Sequence, residues 1–350
     1  MPLRRLPNPV RLLRSPSLNP TVLGDLPGLP AHLAGTAARD WLATWSIARS
    51  MAARRDIVAA LTEHGLVVTP LPDGVGVSAA LMEAAASWPT ALDALVVAGD
   101  SGAMCVADEL GDALAALVAT LLTAPVDAQR ARPDWSAQDW HRWRSVRTVV
   151  IGGGVVRGML GAHVVDRAVA QLQQMGVAVG LTRAPDAAGL GLRGAASLLR
   201  GSGVALDCGG TAIKRALVWC DPGGRQVETL EPLPAPGRVG AQEVIDAIAD
   251  AVAQAASPGP VEVVLAMATY VDGTGQPYAG QLGPYAPLGE IDLRAGLAEA
   301  IGRMVNGRAT VTVIHDGAAA LLGARVEQPD ADVAIVLGTA IGCSLTPDLA

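Results

Sequence analysis

The stretch Gly203–Val218, GVALDCGGTAIKRALV, constrains this chain more than any other. Val204, Leu206, Ile213, Ala216 and Val218 give it the apolar character of two strands, with Asp207, Gly209, Gly210 and Thr211 in the tight turn between them. Adjacent glycines let a backbone approach a ligand closely, and successive N–H groups of such a turn can surround phosphate oxygens. A carboxylate on the first strand can hold Mg2+ or its water. Lys214 is the only lysine of the chain, and every other Lys/Arg position is arginine. It reads either as a phosphate contact or as a solvated strand residue.

The 350 residues are enough for a large core in two lobes. Apolar residues make up 51%, yet aromatics are 3% and Phe is absent, so that core must be Ala, Val, Leu and Ile. The net charge of −7 argues against nucleic acid as the main partner. Residues 1–60 are locally rich in arginine (Arg4, Arg5, Arg11, Arg14, Arg39, Arg49, Arg54, Arg55), which reads as a solvated surface or partner contact before it reads as a nucleic-acid arm. Cys105, Cys208, Cys220 and Cys343 have no paired spacing, so neither a zinc site nor a disulfide framework is signalled. No signal-peptide pattern and no apolar span of membrane length is present. A cytoplasmic, reduced protein with no membrane partner is the expectation.

Periodicity predicts helices within 31–66, 81–88, 105–122, 155–175, 189–200, 242–256 and 293–305. Strands are expected at Val149–Ile151, Val177–Leu181, Val261–Ala266, Val311–Ile314 and Val333–Leu337. Pro- and Gly-rich loops are expected over Pro222–Gly240 and Thr269–Pro287, and Ala124–Arg147, with three tryptophans, reads as an excursion. Alternating strands and helices indicate an α/β protein.

Four short motifs punctuate these elements. Gly152, Gly153 and Gly154 follow a strand; Asp207–Lys214 forms the hairpin turn; His315–Asp316 ends a strand and opens a helix; Gly338, Thr339 and Gly342 follow another strand. Singly each has a bland reading, since glycines end strands and an Asp after a strand is often a helix N-cap. Together the set resembles the ROK family of sugar kinases, repressors and related proteins, within the sugar-kinase/actin/Hsp70 superfamily. DCGGTAIK is similar to its first phosphate motif, VTVIHDGAAALLGAR to its catalytic segment, and VAIVLGTAIGCSL to its second phosphate motif. VVIGGGVVRGML is similar to its adenosine motif, DAAGLGLRGAASLL to its closing helix, and AGDSGA to a helix start upstream of the adenosine motif.

The order is rotated relative to the family: helical region, adenosine, phosphate 1, catalytic Asp, phosphate 2. The resemblance therefore implies a two-lobed actin-like ATPase (ribonuclease H-like) α/β fold, circularly permuted, with Met1 and Ala350 near one another. Residues 1–186 plus 317–350 would form the larger lobe and residues 187–316 the smaller one.

The resemblance further implies ATP and Mg2+, with no structural zinc because the family's zinc motif is missing. Asp207 would organise Mg2+, directly or through water. Gly209, Gly210, Thr211, Lys214, Gly338, Thr339 and Gly342 would border phosphates, and Gly152–Gly154 the adenosine. Asp316 would be the general base toward a hydroxyl of a sugar, aminosugar or cyclitol, with His315, Tyr270 and Asp272 on the acceptor side. A homodimer is left open.

Departures cluster around the acceptor. His315 stands for the family's Asn, Thr269–Tyr270 for its Pro-Gly, and its Gly-Glu-x-Gly-His motif is missing. Ala340 replaces a glycine in the second phosphate motif, which matters if that position needs positive φ. Three functions remain in view: an active kinase, a regulatory or repressor-like binder (residues 48–69 resemble the end of a winged helix), and another enzyme reusing the same cleft.

Overall fold

The computed structural model describes residues 17–72, 78–221, 224–237, 239–278 and 283–345. In chain order the first helices are α1 (Arg39–Leu42), α2 (Thr44–Ala52), α3 (Arg55–Glu63), α4 (Ala79–Ala85), α5 (Trp88–Val97), α6 (Ser101–Thr123), α7 (Val126–Ala131) and α8 (Ala137–Ser145). Then come β1 (Thr148–Gly152), α9 (Gly158–Gln174), β2 (Gly180–Arg183), α10 (Leu190–Ser197), β3 (Gly203–Cys208), β4 (Ala212–Asp221) and β5 (Gly224–Pro234). The chain continues through α11 (Ala241–Ala253), β6 (Val261–Met267), α12 (Leu293–Met304), β7 (Ala309–His315), α13 (Asp316–Glu327), β8 (Val333–Leu337) and β9 (Ile341–Leu345). The protein is α/β, as its alternating pattern indicates.

Two compact units result. One contains residues 189–330, the other residues 17–188 and 331–343. The expected division placed residues 317–330 with the adenosine motif. Contact groups them instead with β3–β7, because α13 packs tightly on α10. An added Cβ at Gly194 would lie 1.7 Å from the carbonyl oxygen of Ala319, and one at Gly323 would lie 2.1 Å from that of Leu190. Only glycine permits that approach.

The first unit carries a five-stranded sheet in the order β5-β4-β3-β6-β7. β4 runs antiparallel to β3 and β5, while β6 and β7 run parallel to β3. This hairpin extended by two parallel strands is the ribonuclease H-like arrangement. Every residue of β3 is buried, as expected for a strand covered on both faces. Alternation sorts its side chains by size. Val204 and Leu206 join Val263, Leu265, Val311 and Val313 in a core against Val244, Ile248, Leu297 and Ile301 of α11 and α12. Ala205, Ala216, Val264 and Ala266 face Leu192, Ala195 and Ala196 of α10 and Ala319 of α13. Small residues on that face are what allow the two glycine-bearing helices to lie close to it.

β5 occupies the expected loop of Pro222–Gly240. It is an edge strand exposed along most of its length, so it carries no alternating apolar pattern to betray it. Its Pro232 is tolerated because an edge strand has a side without ladder partners.

In the second unit the sheet order is β2-β1-β8-β9, with β1 parallel to both neighbours. Read from β8, the series β9-β8-β1-β2 repeats β4-β3-β6-β7 position for position. In the chain, however, β1 and β2 precede β8 and β9. The long helix α6 starts at its N-cap Asp100, whose carboxylate accepts from Ala103 N–H at 2.8 Å. Its Asp112 accepts from Arg167 Nε at 2.7 Å and Gln171 Nε2 at 3.0 Å, both on α9. The tryptophan-rich excursion is helical: Trp135, Trp140 and Trp143 cluster, and Arg132 lies over the Trp135 ring. After α3, residues 64–72 contain no strand, so the two strands of a wing do not follow it there. Met1 and Ala350, whose proximity the rotated motif order implies, lie outside the described residues.

Candidate functional site

In the first unit the C-terminal ends of β3, β6 and β7 gather the chemistry. Asp207 is the penultimate residue of β3 and lies on its α10 face. An added Cβ at Gly191 of α10 would sit 3.1 Å from its carboxyl carbon. A side chain at that point of the helix would press on the carboxylate by a few tenths of an ångström. Across the hairpin, Asp207 is in register with Lys214, whose Nζ donates to Asp207 Oδ2 at 3.0 Å. The β4–β5 register shifts between Ile213 and Arg215, opposite Lys214; such irregularities re-aim side chains. Lys214 is thus neither a plain solvated strand residue nor unpaired.

The turn after β3 is closed by its own backbone. Gly209 N–H donates to Ala212 O at 2.9 Å, and Thr211 O accepts from Ala235 N–H at 3.1 Å. Gly210 and Thr211 are exposed at its tip. Beneath it lies Tyr285, buried, with its hydroxyl donating to Gly209 O at 3.1 Å. Burial pushes the Tyr285 hydroxyl and the neighbouring Cys208 thiol well above their ordinary values, so both stay protonated.

Asp316 opens α13 directly after β7, and its Oδ1 accepts from Gly317 N–H at 2.7 Å. Desolvation pushes this carboxyl up from the ordinary Asp range. His315 and Lys214 oppose the rise, and the charge of Asp207 adds to it. A carboxylate made more basic by its surroundings suits a proton acceptor.

His315 is buried at the end of β7. Its Nδ1 accepts from Gly317 N–H at 2.9 Å, so the imidazole serves as N-cap of α13. Its ring stacks on Tyr270 with centroids 4.8 Å apart and planes 4° from parallel. Burial lowers its pKa, against the pull of Asp316. A neutral ring that accepts at Nδ1 carries its proton on Nε2.

Asp272 spends Oδ1 on its own loop. It accepts from Thr274 N–H at 2.8 Å, Thr274 Oγ1 at 2.6 Å and Gln276 N–H at 3.0 Å. Burial works to raise this carboxyl, but those donors hold it below the usual range. Thr269, beside Tyr270, is buried with a hydroxyl that has no partner among the described residues.

In the second unit, the Gly152–Gly154 and Gly338–Thr339 turns touch. Gly153 adopts φ +103°, and an added Cβ there would fall 2.1 Å from Leu337 O. Gly154 faces open space. Gly338 O accepts from Thr44 N–H at 2.8 Å, at the start of α2. Among the described non-glycine residues only Ala124 and Asn306 have positive φ, so Ala340 carries no left-handed strain. At Gly342 an added Cβ would make ordinary contact with Val336 at 3.7 Å.

Sequence reasoning missed Tyr285 and Gly191, and noted Thr269 only as a departure from the family's Pro-Gly. A signal for the first existed: all three tyrosines of this Phe-free chain, Tyr270, Tyr278 and Tyr285, fall in one loop. Gly191 had none, because its significance lies in a contact across the fold.

No family model matches the chain, and no curated protein matches it. Among solved structures it is similar to a ROK family glucokinase from Streptomyces griseus in complex with glucose and AMPPNP. The identity is 27% over 41% of this chain and 44% of that one, with a TM-score of 0.28. It is also similar to the ethanolamine utilization protein EutJ from Carboxydothermus hydrogenoformans, at 15% identity over 51% of this chain and 64% of that one, with a TM-score of 0.30. The matches span less than two thirds of the length of either protein.

Proposed function

We propose that this chain is an ATP-dependent phosphotransferase acting on a hydroxyl of a sugar, aminosugar or cyclitol. The observation that carries the reading is the pairing of two carboxylates at one end of the first unit's sheet. Asp207 is paired with Lys214 at 3.0 Å, and Asp316 is made more basic by burial. Asp316 takes the proton of the acceptor hydroxyl as its oxygen attacks the γ-phosphate in line. His315 Nε2–H and the Tyr270 ring orient the acceptor, and Asp272 keeps their loop in shape. In the second unit, Gly152–Gly154, Gly338, Thr339 and Gly342 are the small residues that would border adenosine and phosphate, with Gly154 open to its surroundings. In the first unit, the exposed Gly210–Thr211 tip is by itself suited to phosphate.

Among the described residues no group of three His, Cys, Asp or Glu side chains is placed to hold a metal alone. That fits Mg2+, which is commonly bound by one or two carboxylates completed by substrate phosphates and water, with Asp207 as the protein's share. When bound, Mg2+ neutralises charge on the phosphate oxygens. The rotated order of β1, β2, β8 and β9 supports a circular permutation of an actin-like ATPase fold.

The test is ADP release from ATP and Mg2+ against a panel of sugars, aminosugars and cyclitols. Acceptor-dependent release is expected, with Asp316→Asn slower by about 10³-fold. No turnover with any acceptor, together with ligand-induced stabilisation, would replace the enzyme by a binding protein.

A further inference from the structure

We infer that Lys214 is a built-in competitor of the divalent cation at Asp207, and that its being lysine rather than arginine is what lets the metal in. The inference rests on the phosphotransferase reading for the placement of a metal at Asp207. Three observations carry it.

First, little of the carboxylate is reachable. The Asp207 side chain is 10% exposed, α10 lies against it at Gly191, and Lys214 Nζ holds Oδ2 at 3.0 Å. A cation arriving at Asp207 meets both a covered carboxylate and a positive charge already on it, and like charges repel over such distances.

Second, the competitor is able to leave. Lys214 is 39% exposed and stands opposite the register shift of β4 against β5. Its ammonium is a point charge on a flexible stem, and the interaction it gives up is that of a partly solvated pair.

Third, Lys214 is the only lysine in a chain whose other Lys/Arg positions are all arginine. A guanidinium here would grip Asp207 with two parallel hydrogen bonds and would not rotate away as easily. A neutral residue would leave Asp207 and Asp316 as two uncompensated carboxylates at one end of the sheet. Lysine stands between these extremes, compensating Asp207 without a bidentate grip.

The experiment measures Mn2+ binding to the full, nucleotide-free chain by the electron paramagnetic resonance signal of the free ion. The expected order of affinity is Lys214→Met above the natural protein, and the natural protein above Lys214→Arg. The gain in Lys214→Met is about fivefold, and Asp207→Asn shows no site. If Lys214→Met does not fold, Lys214→Gln replaces it with the same expected gain. Equal or weaker binding in the neutral variant, tighter binding in Lys214→Arg, or no Mn2+ binding in any of them overturns the inference. The assay needs no turnover. Failure to release ADP alongside the expected Mn2+ order would defeat the phosphotransferase reading and leave the competition standing.

Discussion

Asn19 and Ile341 are 322 residues apart in the chain and are joined by two hydrogen bonds. Asn19 Oδ1 accepts from Ile341 N–H at 2.9 Å, and Asn19 Nδ2 donates to Ile341 O at 3.3 Å. The side-chain amide treats the first residue of β9 as a neighbouring strand would. Segments near opposite ends of the sequence thus meet at the turn that carries Gly338 and Thr339.

Asn19→Ala removes both bonds and leaves the buried start of β9 without them. The expected cost is roughly 1–2 kcal/mol, a loss of a few degrees in Tm. The same adjacency supports a re-permuted chain, opened between Gly201 and Ser202 with its present ends joined by a Gly/Ser linker. It is expected to fold with the circular dichroism spectrum of the parent. A chain that stays unfolded would sink the permuted reading.

Gly153→Ala places a Cβ on the carbonyl of Leu337 at a residue whose φ is +103°. Backbone cannot yield there without separating the two glycine turns. A loss of roughly 3 kcal/mol or more is expected in urea unfolding. Gly154→Ala, with open space around it, is expected to stay within about 0.5 kcal/mol of the parent.

Asp316 predicts a trade between stability and activity. Its folded pKa is raised, so the fold prefers the protonated acid. The contribution is fully present below the ordinary Asp value of about 4 and is lost as pH rises through the raised value. Asp316→Asn, which keeps an acceptor for Gly317 N–H, is therefore expected to raise Tm at pH 7. The gain should shrink toward pH 4. An equal or lower Tm at pH 7 would count against a desolvated base.

His315 acts in the opposite sense. Its folded pKa is lowered by burial, so its contribution is present above the ordinary His value of about 6.5 and is lost as pH falls through the depressed one. In an Asp316→Asn background, which removes the opposing slope of the carboxyl, Tm is expected to drop between pH 7.5 and pH 5. Adding His315→Asn, which retains a capping side chain for α13, should flatten that drop. Parallel Tm–pH curves for the two proteins would remove His315 as the source.

Much of the first unit is legible along the chain. The alternation through Val204, Leu206, Val263, Leu265, Val311 and Val313 sets strands. The glycines after β3 set a turn, and the step from His315 to Asp316 starts a helix. These are local signals, written by side-chain periodicity and backbone freedom within a few residues. β5 escaped because an exposed edge strand has no buried face to imprint a pattern. The tertiary structure alone decided that Lys214 pairs with Asp207, that His315 caps α13 while stacking on Tyr270, and that Gly153 must be glycine because Leu337 passes over it. Each depends on a register or close approach between distant segments, and such contacts leave no periodic trace in the sequence. The residue types that permit this chemistry were thus determined by the sequence itself. Packing of β3 against α10, and of β7 into α13, decided which of them meet.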